Sequence, residues 1–455
     1  MKKQFSRRDF LKVAGGAVVV VAGATMLPPF LRKTLLPEQV VGAAEPYDLF
    51  FAGTDGWFYM PPAPAIPPWH PDTYAPEPFT TYIFGFRNVT GLDDVQRANQ
   101  RLKAQHNAPF FWADQESELR VQLTNLGLGN RPDLVDAHTI HWHGFRNVIP
   151  FFDGEPTGSV SVPVGQLFTY VFRPHDPGTY MYHCHVEDVE HVTMGMTSLV
   201  FVRPIQNSLA GTSLYPSGKY AYNDSDGSTG YDRENALFLS EIWTKGHWND
   251  AHIQESDWSE FKADFSMLNG RVYPDTLLPN SPINLALSTH ALTIQTDGNG
   301  DLMTNPGLEY LQYNPHSSLI TCNEGERVLL RFANLGFREE AMTLAGIKMK
   351  VVGRDATLMR GRDGTDTSYL TDTILIGAGE SYDVIIQAPV FSGGTAVDEL
   401  GHSYDKYILY NRRYTQDSNL TAGGAGGQRT EVRVYAAGTL GPQQYLNQHP
   451  NDIIG

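Results

Sequence analysis

Two short segments of this chain occur twice, in the same order and at similar separation. Val121-Gln-Leu-Thr-Asn-Leu-Gly127 returns as Leu330-Arg-Phe-Ala-Asn-Leu-Gly336, and Gly165-Gln-Leu-Phe-Thr-Tyr-Val171 returns as Gly379-Glu-Ser-Tyr-Asp-Val-Ile385. That period is too long for a solenoid and describes a duplicated domain. The chain's 455 residues suffice for two substantial cores. Its 43 Gly and 29 Pro interrupt helices, while 22 Tyr and 23 Phe suit pleated, half-buried surfaces. The expected class is therefore all-β, with two similar β-sandwich domains in tandem.

Strand signals recur at 119–124, 167–172, 197–202, 236–241 and 431–436. They place one domain at 45–205 and a second at 232–437, joined by a polar linker at 206–231 and followed by a tail at 438–455. Residues 46–111 read as loop-rich and aromatic, with the Pro-heavy 61–71 segment extended over a surface.

Residues 1–44 have the layout of an export signal, a basic flank followed by the apolar run Val13–Leu27. Ser6-Arg7-Arg8-Asp9-Phe10-Leu11-Lys12 resembles a twin-arginine signal, an address used by folded, often cofactor-loaded bacterial proteins. The expected location is periplasmic, extracellular or tethered to the outer face of the cytoplasmic membrane, since an uncleaved leader would be an N-terminal tether. Those 44 residues hold seven Lys/Arg and two Asp/Glu, so without them the formal charge goes from −16 to −21. An acidic chain of this kind lacks the basic face that nucleic-acid binding requires.

The chemistry is concentrated in two short stretches. Tyr180–Met196 reads YMYHCHVEDVEHVTMGM and contains one of only two cysteines. Thiolate, imidazole and thioether together are the donors of soft thiolate–copper sites. Upstream, His138-Thr-Ile-His-Trp-His-Gly144 carries three histidines. On strands, His141 and His143 share one face, as do His183 and His185, because side chains repeat every two residues. Cys184 faces the other way, together with His138. Cys322 reads as a small buried residue of a strand.

The second copy has lost these groups. Sliding Gly144 onto Gly346 sets His138, His141 and His143 opposite Glu340, Thr343 and Ala345, and sliding Tyr182 onto Tyr410 sets His183, Cys184 and His185 opposite Asn411, Arg412 and Arg413. One domain carries metal chemistry and the other structure.

HTIHWHG followed by YMYHCH, His191 and Met196 resembles the multicopper oxidase and laccase family, whose cupredoxin domains are shared with copper nitrite reductases. Phe152-Asp-Gly-Glu-Pro, Asp176-Pro-Gly-Thr-Tyr180 and Leu268-Asn-Gly-Arg-Val-Tyr-Pro-Asp-Thr276 agree with it, over roughly residues 110 to 437. The resemblance implies two Greek-key cupredoxin-like β-sandwiches. It makes His138, Cys184 and His191 ligands of a type 1 copper with Met196 axial, His141 a type 2 ligand, and His143, His183 and His185 type 3 ligands. Met194 competes with Met196, whose distance from His191 matches the family better. Five residues separate His185 from His191, where the family usually has three.

The function implied is oxidation of a small-molecule or redox-protein donor at the type 1 copper, with dioxygen reduced at the second copper site. Oxygen-reducing members draw two His-X-His pairs from each of two domains, whereas here only the first domain has its share. His247, His252, His290, His316 and His402 lack the paired spacing and read as surface or capping residues. A ring-like homotrimer, in which a neighbour's second domain offers a histidine, keeps a nitrite-reductase-like enzyme as an alternative. An electron carrier using the type 1 site alone is the other.

Overall fold

The computed structural model describes residues 47–107, 109–209, 214–417 and 424–452. The export signal expected at 1–44 lies outside the described residues. Among those described, no helix is long and apolar enough to cross a membrane.

The first sandwich contains β1 (Tyr47–Tyr59), β2 (Thr80–Asn88), β3 (Phe111–Asp114), β4 (Leu119–Asn125), β5 (His141–His143), β6 (Leu167–Phe172), β7 (Gly178–His183) and β8 (Thr197–Arg203). One sheet runs β2-β1-β4-β6 and the other β3-β8-β7-β5. Two short helices belong to this half, α1 (Asp94–Ala98) and α2 (Asp188–Met194).

β1 and β2 correct the loop-rich expectation for residues 46–111. Both are buried along nearly their whole length, so they lack the polar alternation by which half-buried strands are recognised. Their glycines, which read as loop signals, mark close backbone approach: a Cβ on Gly85 would stand 2.8 Å from the Gln105 carbonyl oxygen.

The second half begins with β9 (Arg233–Ile242), α3 (Thr244–Ala251), β10 (Phe265–Leu268), β11 (Ile320–Asn323), β12 (Arg327–Asn334), β13 (Glu340–Leu344) and β14 (Met349–Arg354). It continues with β15 (Thr357–Leu358), β16 (Tyr369–Thr371), β17 (Thr373–Ile376), β18 (Ser381–Gln387), β19 (Ala396–Val397), β20 (Ser403–Asn411) and β21 (Arg429–Tyr435). Its sheets run β10-β9-β12-β18-β14-β15 and β11-β21-β20-β13-β17. The first four strands of each follow the order seen in the first sandwich. The pairing sense repeats too, with β1 parallel to β4 as β9 is to β12, and β3 parallel to β8 as β11 is to β21. The duplication in sequence is thus a duplication of topology.

The register of the two copies corrects one of the alignments. Trp142 pairs with Tyr182 in the first sandwich, and Leu344 with Leu409 in the second, all four side chains being core residues. Gly144 lies against Tyr180 as Gly346 lies against Tyr407. Both relations match Gly144 to Gly346, as aligned, but they place Tyr182 opposite Leu409. Asn411, not Arg412, therefore stands where the first copy has Cys184. Its side-chain amide donates to Glu340, the counterpart of His138, and Gln428 joins the pair. The second copy has replaced its thiolate and imidazole with a carboxyl and amides.

Segments between and after the sheets are packed. Tyr222 and Tyr231 bury against Leu329, Val352 and Ile385. Tyr445 and Leu446 complete a core shared by Trp112, Phe201 and Phe238, and the Asn447 side-chain oxygen accepts from the Ala236 N–H at 2.6 Å. Across the same junction Thr179 of β7 donates its hydroxyl to Asp383 of β18 at 2.6 Å, and Arg331 donates to the same carboxylate at 3.2 Å.

Candidate metal centre

Ladder pairing builds the site. β5 and β7 are antiparallel neighbours with His141 opposite His183, so the histidines at 141, 143 and 183 emerge on one face. One ligand atom from each lies within 4.8 Å of the others. The His185 ring joins them, 4.8 Å from His141 and 5.5 Å from His183 between centroids. On the opposite face, His138, Cys184 and His191 form a second group within the same limit, all three buried.

The unusual spacing before His191 is absorbed by α2. Glu187 adopts a left-handed conformation at φ 45°, the chain turns into the helix, and the His191 N–H donates to the Glu187 carbonyl at 2.9 Å. His191 thereby brings Nδ1 to 3.2 Å from Cys184 Sγ. The Thr139 N–H also approaches that sulfur, at 3.4 Å. Met196 follows α2 directly, is fully buried, and accepts from the Cys184 N–H through its carbonyl at 3.0 Å. Its side chain shares a boundary with His138: a Cβ on Gly53 would stand 2.7 Å from the His138 ring and 3.4 Å from Met196 Cε. Met194 is also buried, within α2.

The electrostatics favour ligating forms. Burial alone would raise the Cys184 thiol, but His191 and His138 bring it well below the usual thiol range. Burial likewise disfavours charge on His191, yet the Cys184 sulfur and Asp136 push it up to about 10. Without metal the pair is a thiolate facing an imidazolium; the thiolate is already the form that binds metal, and His191 would give up its proton on ligation. Across the strand, burial drives His183 down to about 3 and lowers His141 and His143, leaving neutral imidazoles.

Each of these three histidines spends one nitrogen on the protein. His141 Nδ1 is 2.9 Å from the Asp153 carbonyl oxygen and His183 Nδ1 is 2.8 Å from that of Cys184, while His143 meets the Gly379 backbone. Such carbonyl partners fix the tautomer and leave the other nitrogen for a metal. In the sulfur pocket both ring nitrogens of His138 are buried without a hydrogen-bond partner. Orphaned buried nitrogens around a thiolate fit a soft transition metal, and copper is the metal for which a His₂Cys set with a weak Met is characteristic.

Gly53, Asp136 and the helical form of α2 are not among the features expected from the sequence. Asp136 had a signal in the Asp-Ala-His138 run, whereas Gly53 is apparent only once β1 lies against the pocket. Four of the five further candidates have local partners: His247 Nδ1 lies 2.7 Å from the Tyr82 carbonyl oxygen, and His252, His290 and His402 face Asp72, Asp114 and Asp398. His316, expected at the surface or in a cap, is instead fully buried against Phe110, with neither ring nitrogen hydrogen-bonded. None of the five belongs to a metal-capable group among the described residues.

A buried cysteine–histidine pocket back to back with an imidazole cluster, inside one of two tandem sandwiches, defines a copper-binding cupredoxin-like protein. Residues 87–206 and 237–393, 120 and 157 residues long and together more than half of the chain, match models described as multicopper oxidase. The chain belongs to the multicopper oxidase family, and copper is the cofactor that membership implies.

Laccase-12 of Arabidopsis thaliana is 24% identical over 257 residues, which cover 55% of this chain and 34% of the laccase. The chain therefore spans about a third of that relative's length. Among solved structures, blue copper oxidase from Nitrosomonas europaea is similar at 19% identity and TM-score 0.53, covering 86% of each chain. Multicopper oxidase mgLAC is similar at 18% identity and TM-score 0.55, covering 90% of this chain and 92% of that one. At these identities the two structures speak for the fold.

Proposed function

We propose that the chain is an exported copper-dependent oxidoreductase that takes electrons from a donor on the His191 side and passes them to dioxygen on the imidazole face. The observation that carries this reading is the 3.2 Å approach of His191 Nδ1 to Cys184 Sγ inside a closed pocket, with His183 and His185 flanking the same cysteine. His138, Cys184, His191 and Met196 hold a type 1 copper, His141 a type 2 copper, and His143, His183 and His185 the type 3 side. Bound there, copper supplies one-electron redox chemistry on the sulfur side and an oxygen-binding centre on the other.

The protein's own contribution is arrangement. Cys184 is covalently continuous with His183 and His185, so a short stretch of backbone connects the two faces. Asp153 and Gly379 hold the tautomers of His141 and His143 through backbone contacts. Burial keeps water from the sulfur. The run Ser6–Lys12 supports export by a twin-arginine route to the periplasm or beyond, with an uncleaved leader serving as a tether.

The imidazole face is half of what an oxygen-reducing cluster uses. A homotrimer in which a neighbour's second half closes that face accounts for the remainder. It is supported by exposed Ile149, Phe151 and Leu167, apolar residues flanking the Asp153 turn on which His141 rests. The same half set supports nitrite as acceptor as the second reading.

Copper per chain, together with oxygen uptake on a phenolic or cytochrome donor, tests the proposal. More than one copper per chain with steady uptake is expected. Nitrite turnover without oxygen uptake selects the second reading, and a single blue copper with neither activity replaces both with an electron carrier.

A further inference from the structure

The face around His191 is far more acidic than the chain as a whole. Residues 70–78, 129–138, 186–194 and 247–256 together hold nine Asp/Glu and one Lys/Arg, against 50 and 34 in the full chain; Asp72 and Asp250 are buried, which leaves seven carboxyls toward the surface. Contacts join these four segments. Asp136 Oδ2 lies 3.8 Å from His191 Nε2, Arg131 donates to the Asp250 carbonyl at 2.9 Å, and His252 bonds Asp72 at 2.9 Å. The single arginine is occupied by Asp133 and Asp250, so it offers little positive charge outward.

Two further observations point to an external partner. Val135, Ile253, Tyr74 and Val189 are 77%, 64%, 62% and 46% exposed on these same segments. His191 is fully buried, and its Nε2, the nitrogen away from Cys184, has no hydrogen-bond partner and faces Asp136. Exposed apolar side chains interspersed with carboxylates of one sign are the composition of a steered, transient protein interface.

We propose that this face docks a positively charged electron-transfer protein, one whose redox centre is ringed by lysines around a small apolar patch. The inference rests on the proposed function, in which electrons enter beside His191, and it names the donor class. A lone metal ion would engage Asp136, Glu187 and His191, which lie within ligand distance of one another, but would leave the four apolar side chains unused. A protein uses both features: the carboxylates steer the encounter and the apolar residues are desolvated on contact. One electron leaves the donor's reduced centre per encounter and enters on the His191 side. Four such encounters, with four protons from solvent, balance one dioxygen reduced to two waters.

The test uses the copper-loaded protein and a reduced lysine-rich monohaem cytochrome c as a defined cationic probe. Binding is followed by calorimetry and haem oxidation by absorbance. The proposal expects binding to weaken about tenfold between low and physiological salt. It expects about another tenfold loss in the double variant Asp188→Lys/Glu255→Lys, faster dissociation in Val189→Ser, and no change in Asp94→Lys on α1. Absence of binding at low salt, or binding indifferent to the double reversal, overturns it. So does ferrous or cuprous ion oxidation that depends on Glu187 while the cytochrome neither binds nor reacts. The blue absorption band separates the two levels: an intact band without cytochrome binding sinks the docking inference alone, whereas its absence sinks the copper assignment whatever the calorimetry gives.

Discussion

Gly53 of β1 lies directly against the ring of His138, closely enough that a Cβ there would stand 2.7 Å from Cδ2. The ring cannot yield freely, because it is fully buried beside Met196 and Cys184. Gly53→Ala should therefore displace His138 from the sulfur pocket. The expected result is an altered or weakened blue absorption band and a stability loss of about 1–3 kcal/mol, the usual effect of overpacking. Absorption spectra and thermal melts of the copper-loaded variant check both, and an unchanged spectrum would remove His138 from the ligand set.

The second copy's replacement for the copper pocket should be visible in the pH dependence of stability. Burial and the nearby Glu241 raise the Glu340 carboxyl from 4.5 to about 8. An acid whose folded value is raised is most favourable while protonated. Its contribution is therefore complete below about 4.5 and is lost as the pH rises toward about 8. Glu340→Gln should flatten the decline in melting temperature across that window, matching the parent near pH 5 and exceeding it by a few degrees near pH 8. Melting curves at the two ends decide it, and a variant equally pH-sensitive would place the titration elsewhere.

The junction between the sandwiches depends on Asp383. It accepts from Thr179, Tyr222 and Arg331, and all four residues are buried. Asp383→Ala leaves Arg331 with Glu234 as its remaining ion-pair partner in the interior. Breaking a buried pair from one side costs about 3–5 kcal/mol. Denaturant melts should show that loss, and since β7 carries His183, copper retention should fall with it. A change below about 1 kcal/mol would mean that water or Glu234 replaces the carboxylate.

How much of this was legible in the chain depended on whether the signal was local. The facing of His141, His143, His183 and Cys184 followed from strand periodicity, and their metal grouping appears in the same arrangement. The duplication was likewise readable, because Asn334-Leu-Gly336 and Asn125-Leu-Gly127 end equivalent strands. β1 and β2 were hidden because burial on both faces removes alternation and their glycines mimic turns. Pairing Tyr182 with Tyr410 misled by one residue, since ladder register rather than residue identity sets the equivalence. The helix α2 is not legible behind the His185–His191 spacing, because seven residues give too little periodicity to separate a helix from a ligand turn.

Electron paramagnetic resonance of copper-loaded parent and Cys184→Ser protein tests whether Cys184 is the thiolate of a type 1 copper. The expected result is one narrow-hyperfine type 1 signal per chain in the parent, its complete loss in the variant, and survival of the copper held by the imidazole face. A type 1 signal that persists in Cys184→Ser, or a parent that binds copper without one, would contradict it.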